Sequence, residues 1–292
     1  MAMDSTIGKW GRRRWIVLGI VILFLLCAKS LGLTPAGLVP PDETRWERAG
    51  AFFKAAFSPA MDYQDENVPE DAPPIWLKGL YGLLLTLKFA FGGMSLAVPL
   101  ALIMGFFGSS SWWPEPRGWF LDLFLRGIYF AFRFLMSLLR SIHELIWALL
   151  ILSAFGLSPL AGMIALALPF SGTLGKVFSE LIDEESRDAA TALKAIGHRP
   201  LQTFFVGTLP AALPNLITYS LYRFECALRS SAVLGFVGIE TIGLYIELSH
   251  EEFYYNEVWT YFYLLLALIV LVDFWGAGVR ARLNSHKGAC EA

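Results

Sequence analysis

The feature that most restricts this chain is a run from Ile75 to Phe107 in which Lys78 and Lys88 are the only charged residues. About 20 residues of α-helix cross a hydrocarbon core roughly 30 Å thick, and a backbone in lipid must satisfy its own hydrogen bonds. The run therefore predicts a membrane-spanning helix, with Gly92, Gly93, Pro99 and Gly105 marking close packing or a kink. Comparable runs cover Trp15 to Leu33, Leu160 to Leu181, Ala211 to Val237 and Val258 to Val279. Trp119 to Ala154 is also apolar but is interrupted by Asp122, Arg126, Arg133, Arg140, His143 and Glu144. It reads as an amphipathic entry leading into one kinked span around Phe130 to Ser153. Six spans are the economical count, which predicts an all-α polytopic membrane protein. The composition agrees: charged residues make up 16% and apolar residues 56%, where soluble proteins carry about 25% charged.

The charges between spans predict the topology, because Lys and Arg gather at cytoplasmic ends. Lys9, Arg12, Arg13 and Arg14 precede the first span, which is expected to be retained and not cleaved as a signal peptide. Residues 34–74 hold eight acids against Arg45, Arg48 and Lys54, and Glu240, Glu247, Glu251, Glu252 and Glu257 precede the last span with no Lys or Arg among them. Both segments fit the outer side. Arg187, Lys194, Arg199, Arg280, Arg282 and Lys287 fit the inner side, so both termini are expected in the cytoplasm. The net charge of −2 gives no case for nucleic acid, and Cys27, Cys226 and Cys290 lack the spacing of a disulfide pair or a zinc site.

The stretch from Asp183 to Pro210 spends 28 residues where a turn needs only a few. Helix formers from Glu184 to Ala195, a stop at Gly197, and a Pro200-Leu201-Gln202-Thr203 start predict two short helices, the second ending near Leu209-Pro210. Ala189, Leu193 and Ile196 give the first an apolar side that suits a groove on a soluble partner or rests on lipid.

Thr191-Ala192-Leu193-Lys194-Ala195-Ile196-Gly197, followed after 11 residues by Leu209-Pro210, resembles the "EAA" cytoplasmic loop of binding-protein-dependent ABC importer permeases. Thr191, Ala192 and Leu193 stand where that family usually has Glu and two alanines. Leu139 to Ala148 and Tyr219 to Ala232 resemble phosphonate-type importer permeases, and with Gly235 to Gly243 the similarity covers about Ile75 to Leu283. It marks residues 75–283 as a permease core, 1–74 as a first helix with an acidic outer segment, and 284–292 as a tail. The resemblance implies a MetI-like fold in a bacterial inner membrane, phosphonate or a related phosphorus oxyanion as cargo, and a homodimer. It also implies two cytoplasmic ATPase subunits that bind the ATP and magnesium, an external solute-binding protein, and no cofactor in this chain.

Ionisable residues inside a span cost roughly 2.5 to 3.5 kcal/mol each on insertion scales, so they pair, face the bundle interior or line a wet path. Arg140 and Glu144 are four apart, with His143 beside them, and so are Glu225 and Arg229, with Arg223 left as surplus positive charge. Helical spacing predicts the ion pairs Arg140 with Glu144 and Glu225 with Arg229. Lining a path and fastening helices are both open for these six residues. Arg126 and Arg133 are expected to reach the inner interface, and Asp273 to pack between helices. Guanidinium groups suit the oxygens of a phosphorus anion.

His143-Glu144 and His250-Glu251 begin like a zinc-protease helix, but Trp147 and Tyr254 stand where its second His belongs. No G-x-x-x-x-G-K-[ST] loop is present, so ATP hydrolysis is expected in a partner and not here. The alternative is a proton-coupled secondary transporter of a small anion, with His143, Glu144 and Glu225 as proton carriers.

Overall fold

The computed structural model describes residues 5–32, 43–65, 68–69, 71–111, 113, 118–185 and 188–290. Asp42, Glu66, Glu70 and Arg187, which enter the charge pattern above, lie outside the described residues. Residues 1–58 and 59–292 form two compact units. The first contains α1 (Ser5–Ser30) and α2 (Glu43–Ala55). The second contains α3 (Ile75–Gly108), α4 (Trp119–Ser141), α5 (Glu144–Phe155), α6 (Pro159–Glu184), α7 (Asp188–Ala195), α8 (Pro200–Thr203), α9 (Leu209–Val233), α10 (Ile242–Glu251) and α11 (Tyr255–Cys290). No strand occurs among the described residues.

In the larger unit α6 is the central helix. Most of its apolar window is buried (61%), against 11% for α11, whose sides are left for lipid or another chain. Small residues Ala90, Ala97 and Ala101 let α3 lie along α6, where Leu166, Leu174 and Phe178 fill the contact. Close backbone approach through small side chains is the usual adhesive between helices in lipid. Ser158 starts α6 by accepting the Ala161 N–H at 3.2 Å, with Pro159 in the first turn, where it needs no donor.

Four helical stretches are long and apolar enough to cross a membrane: Ile75–Gly108, Pro159–Glu184, Pro200–Val237 and Tyr255–Leu283. There are five if α4 and α5 are counted as one broken span. The expected first span is the one that falls outside this set. The apolar run of α1, Trp15 to Ala28, lies between Arg14 and Lys29 and is about 21 Å long at 1.5 Å per residue, so it crosses only if these two side chains reach out to the headgroups.

The single kinked helix expected over Phe130 to Ser153 is instead two helices bent by 94°. Ile142 is extended (φ −100°, ψ 131°), and His143 caps α5 by accepting the Leu145 N–H on Nδ1 at 3.3 Å. A capped new start is a break and not a kink. The second short helix of the long loop also differs from expectation, because α8 does not stop at Leu209-Pro210. It runs through a π-helical turn, Phe204–Thr208, directly into α9. Pro210 has no N–H to donate, and the wider turn, closed by Leu209 N–H to the Phe204 carbonyl, accommodates it.

The two ends of the larger unit are tied by polar groups. At one end Asp183 accepts from Ser109 Oγ at 2.7 Å and from the Ser110 and Ser111 N–H groups at 2.8 and 3.1 Å. Arg133 completes this knot, 3.8 Å from Asp183 and donating to the Gly108 carbonyl at 3.1 Å, while Arg126 pairs with Asp122 at 2.9 Å. At the other end buried Glu257 accepts from Gln64 N–H at 2.6 Å and Ser249 Oγ at 3.2 Å, which fixes the segment before α3 to the start of α11.

Candidate functional site: a polar cavity and a surface segment

A cavity of about 320 Å³ lies where α4, α5, α6 and α9 meet. The break at Ile142 builds it, because the bend places Arg140, at the end of α4, and His143-Glu144, at the start of α5, on the same hollow. α9 contributes Arg223, Cys226 and Ser230, spaced so that all three share one helical face, and α6 contributes Phe170 and Thr173.

The polar groups are held in place. Ser230 Oγ donates to Glu144 Oε1 at 2.9 Å, and His143 Nε2 stands 3.7 Å from Glu144 Oε2. Glu144 also sits in the first turn of α5, where the helix N-terminus favours its charge. Arg223 donates from Nε to the Tyr219 hydroxyl at 2.8 Å, with its guanidinium 5.3 Å from that ring. Its terminal nitrogens are left for other acceptors. The hollow thus combines two guanidinium groups and an imidazole with one satisfied carboxylate, while the hydroxyls of Thr173 and Ser230 already donate to the Pro169 carbonyl and to Glu144. Guanidinium groups of this kind match the oxygens of an oxyanion, and Glu144 limits the net positive charge of the hollow.

Four of the six expected residues, Arg140, His143, Glu144 and Arg223, line this hollow together. The two expected ion pairs do not form. Arg140 and Glu144 are on different helices, so their spacing of four carries no helical meaning across the break. Glu225 turns away from Arg229 to Arg280 of α11, at 2.5 Å, and Arg280 also stands 3.8 Å from Asp273. Arg229 is exposed and donates to Cys226 Sγ at 3.7 Å. Ser230, Thr173 and Arg280 escape sequence reasoning. A hydroxyl in a span carries little signal, and Arg280 reads only as a charge of the inner end.

The second candidate region is the Asp183–Pro210 segment. α7 ends with Gly197 at φ +92°, its N–H donating to the Lys194 carbonyl at 3.0 Å, and His198 N–H donating to the Leu193 carbonyl at 3.2 Å. That pair of bonds is the Schellman stop, which needs a left-handed residue. Arg199 N–H then bonds Gln202 Oε1 at 3.2 Å, and Pro200 opens α8. Thr191, Ala192 and Gly197 are exposed, Leu193 and Leu209 are half-buried, and Pro210 is exposed. α7 packs on the π-helical turn, which continues into α9, the helix that carries Arg223 and Ser230.

The family model for binding-protein-dependent transport system inner membrane components matches residues 97–285. PtxC, a phosphite transport system permease protein of Stutzerimonas stutzeri, is 30% identical over 198 residues, 68% of this chain and 68% of its own. HtxE of the same organism, named provisionally for phosphite transport, is 37% identical over 54% of this chain, and the match spans 60% of its own length. The phosphate-import permease protein PhnE of Mycolicibacterium smegmatis is 28% identical over 53% of this chain and 29% of its own. Among solved structures, an amino acid ABC transporter aligns with a TM-score of 0.59 at 18% identity, covering 70% of this chain and 94% of that one. The MetNI methionine ABC transporter gives 0.59 at 19%, covering 70% and 95%. Both share the fold. Because the family match takes in the helices that build the hollow and the whole Asp183–Pro210 segment, the chain belongs to the binding-protein-dependent transport system inner membrane components, as a multi-pass membrane permease.

Proposed function

We propose that this chain is the membrane subunit of an ATP-driven importer for phosphonate or a related phosphorus oxyanion such as phosphite. Two copies form the path, with both termini in the cytoplasm. Two ATP-binding subunits, which hold the ATP and magnesium, dock on α7, and an external solute-binding protein delivers the anion. The chain itself makes and breaks no covalent bond. The observation that carries this reading is the hollow that sets Arg140 and Arg223 together at a break in α4–α5. The relatives named for phosphite and phosphate transport support the choice of cargo. Thr191, Ala192, Leu193 and Gly197 form the docking side of the coupling segment, and Leu209 and Pro210 join it to α9. Arg229, exposed beside Cys226, faces the second copy.

The test is uptake of radiolabelled phosphite, phosphate and a panel of phosphonates into proteoliposomes holding the permease with its ATPase and binding protein. Arg140→Ala and Arg223→Ala are each expected to lower uptake at least tenfold while the assembled complex still purifies intact. Undiminished uptake by both variants sinks the assignment of the hollow, and uptake driven by a proton gradient without ATP sinks the importer reading.

A further inference from the structure

A second cavity, about 630 Å³, lies at the Ile75 end of the larger unit, away from the Asp183–Pro210 segment. It falls between the segment before α3, the first turns of α3, the end of α10 and the start of α11. Its volume is that of a small-molecule site, and its walls are mostly apolar, with a few charged and phenolic groups.

Lys78 is the cation of this cavity. Its ammonium stands 5.5 Å from the centre of the Tyr63 ring and 5.2 Å from that of Tyr245, and no carboxylate among the described residues pairs with it. Two aromatic faces hold the ammonium in place without neutralising it, which leaves its N–H groups for an incoming oxyanion. Exposed Tyr81, one turn further along α3, adds a hydroxyl to the same wall. Burial, and then the charge of Glu257, raise the pKa of Tyr63, while burial and the hydrogen bond to Glu240 raise that of Tyr245, so both stay neutral. Tyr261 packs against Tyr245 with ring centres 5.8 Å apart, and its hydroxyl is buried with no hydrogen-bond partner.

The wall also carries Glu252, Glu257 and Asp65. Glu257 is occupied by Gln64 and Ser249, but Glu252 is exposed at the rim. With Glu257 already bonded, the exposed carboxylate of Glu252 beside the lining cation Lys78 disfavours a simple anion and favours a ligand that carries a cation of its own. Lys78 and Tyr81 belong to the first two turns of a spanning helix, the depth of lipid headgroups, where Lys and Tyr side chains anchor.

We propose that this cavity binds a zwitterion with a phosphorus oxyanion at Lys78 and Tyr81 and an ammonium at Glu252. That chemistry is shared by an ethanolamine lipid headgroup and a free aminoalkyl phosphorus compound. The site is separate from the Arg140–Arg223 hollow and does not depend on which anion is carried.

Calorimetric titration of the permease complex in phosphatidylglycerol nanodiscs tests the site with phosphoethanolamine, inorganic phosphate and ethanolamine as probes. Native mass spectrometry of complex extracted from phosphatidylethanolamine membranes tests the lipid source. The site predicts phosphoethanolamine binding at least tenfold tighter than either fragment, or retained phosphatidylethanolamine. Lys78→Gln and Glu252→Gln should each reduce binding or retention at least tenfold. Glu252 is exposed, so its variant tests the ammonium end even if Lys78→Gln disturbs the tyrosines around it. Binding of the soluble probe alone assigns a solute, and retention assigns the lipid. Absence of both, equal affinity for inorganic phosphate, or unchanged binding in Glu252→Gln overturns the proposal.

Discussion

Glu225 shows how a charge inside a membrane bundle finds its partner. Arg229 is one helical turn away, yet the carboxylate bonds Arg280 of α11, because that side of α9 faces α11 and bonding there removes both charges from lipid. Both side chains are largely buried, at 12% and 22% exposure, so leaving one alone is costly. Arg280→Met should destabilise the protein by about 3 to 5 kcal/mol, whereas the Glu225→Gln/Arg280→Met double variant should lose clearly less. Thermal unfolding in detergent reads the difference, and additive losses would show that the pair does not fasten α9 to α11. Gly243 gives a second test at this scale. A side chain there would meet the Ala232 carbonyl, and one at Gly235 would meet the Leu244 N–H, so the two backbones cross with no room for a Cβ. Gly243→Ala should cost at least about 1 to 3 kcal/mol by the same measurement. The glycines are plain in the sequence, but the crossing that requires them joins residues that only the fold brings together.

At the scale of elements, breaks matter more than helices. The Gly197 stop was legible, because glycine after a run of helix formers and before proline is a local signal with a local cause. Gly197→Val forces a β-branched residue into the left-handed region and removes that stop. The expected outcome is normal membrane insertion with ATP hydrolysis no longer tied to uptake, read as the ratio of phosphate released to substrate accumulated. An unchanged ratio would separate α7 from coupling. The α4–α5 break was not legible as a break, since no Gly or Pro marks Ile142-His143. The Asp183 knot belongs to this scale as well. Asp183→Ala leaves the Ser110 N–H without its acceptor, the Ser111 N–H with only the longer bond to Ser109 Oγ at 3.3 Å, and Arg133 without its counter-charge. A loss of about 1 to 3 kcal/mol and faster hydrogen exchange in Ser109 to Ser111 should follow.

For the whole molecule, the spans were the most legible part, because lipid accepts long apolar helices and little else. The charge pattern predicts their orientation, with acidic segments at the Glu257 end outside and Lys194 and Arg199 at the Asp183 end inside. Single cysteines placed at Thr191 and Glu252 in a background lacking Cys27, Cys226 and Cys290 test this with a membrane-impermeant maleimide. Glu252→Cys should label from outside and Thr191→Cys only in opened vesicles, and the reverse pattern would invert the topology.

The sequence by itself determined that the chain crosses a membrane several times, that it carries a long polar segment between two spans, and that a few charged residues lie within the apolar helices. These properties depend on local hydrophobicity, helix stops and spacing, which any segment expresses without its neighbours. Only the tertiary structure decided which charges meet. Arg140, His143, Glu144 and Arg223 share a hollow because α4 breaks and α9 packs beside it, and Glu225 joins Arg280 because α11 lies against α9. A partner in lipid is set by which helical faces touch, and that is a property of packing and not of position along the chain.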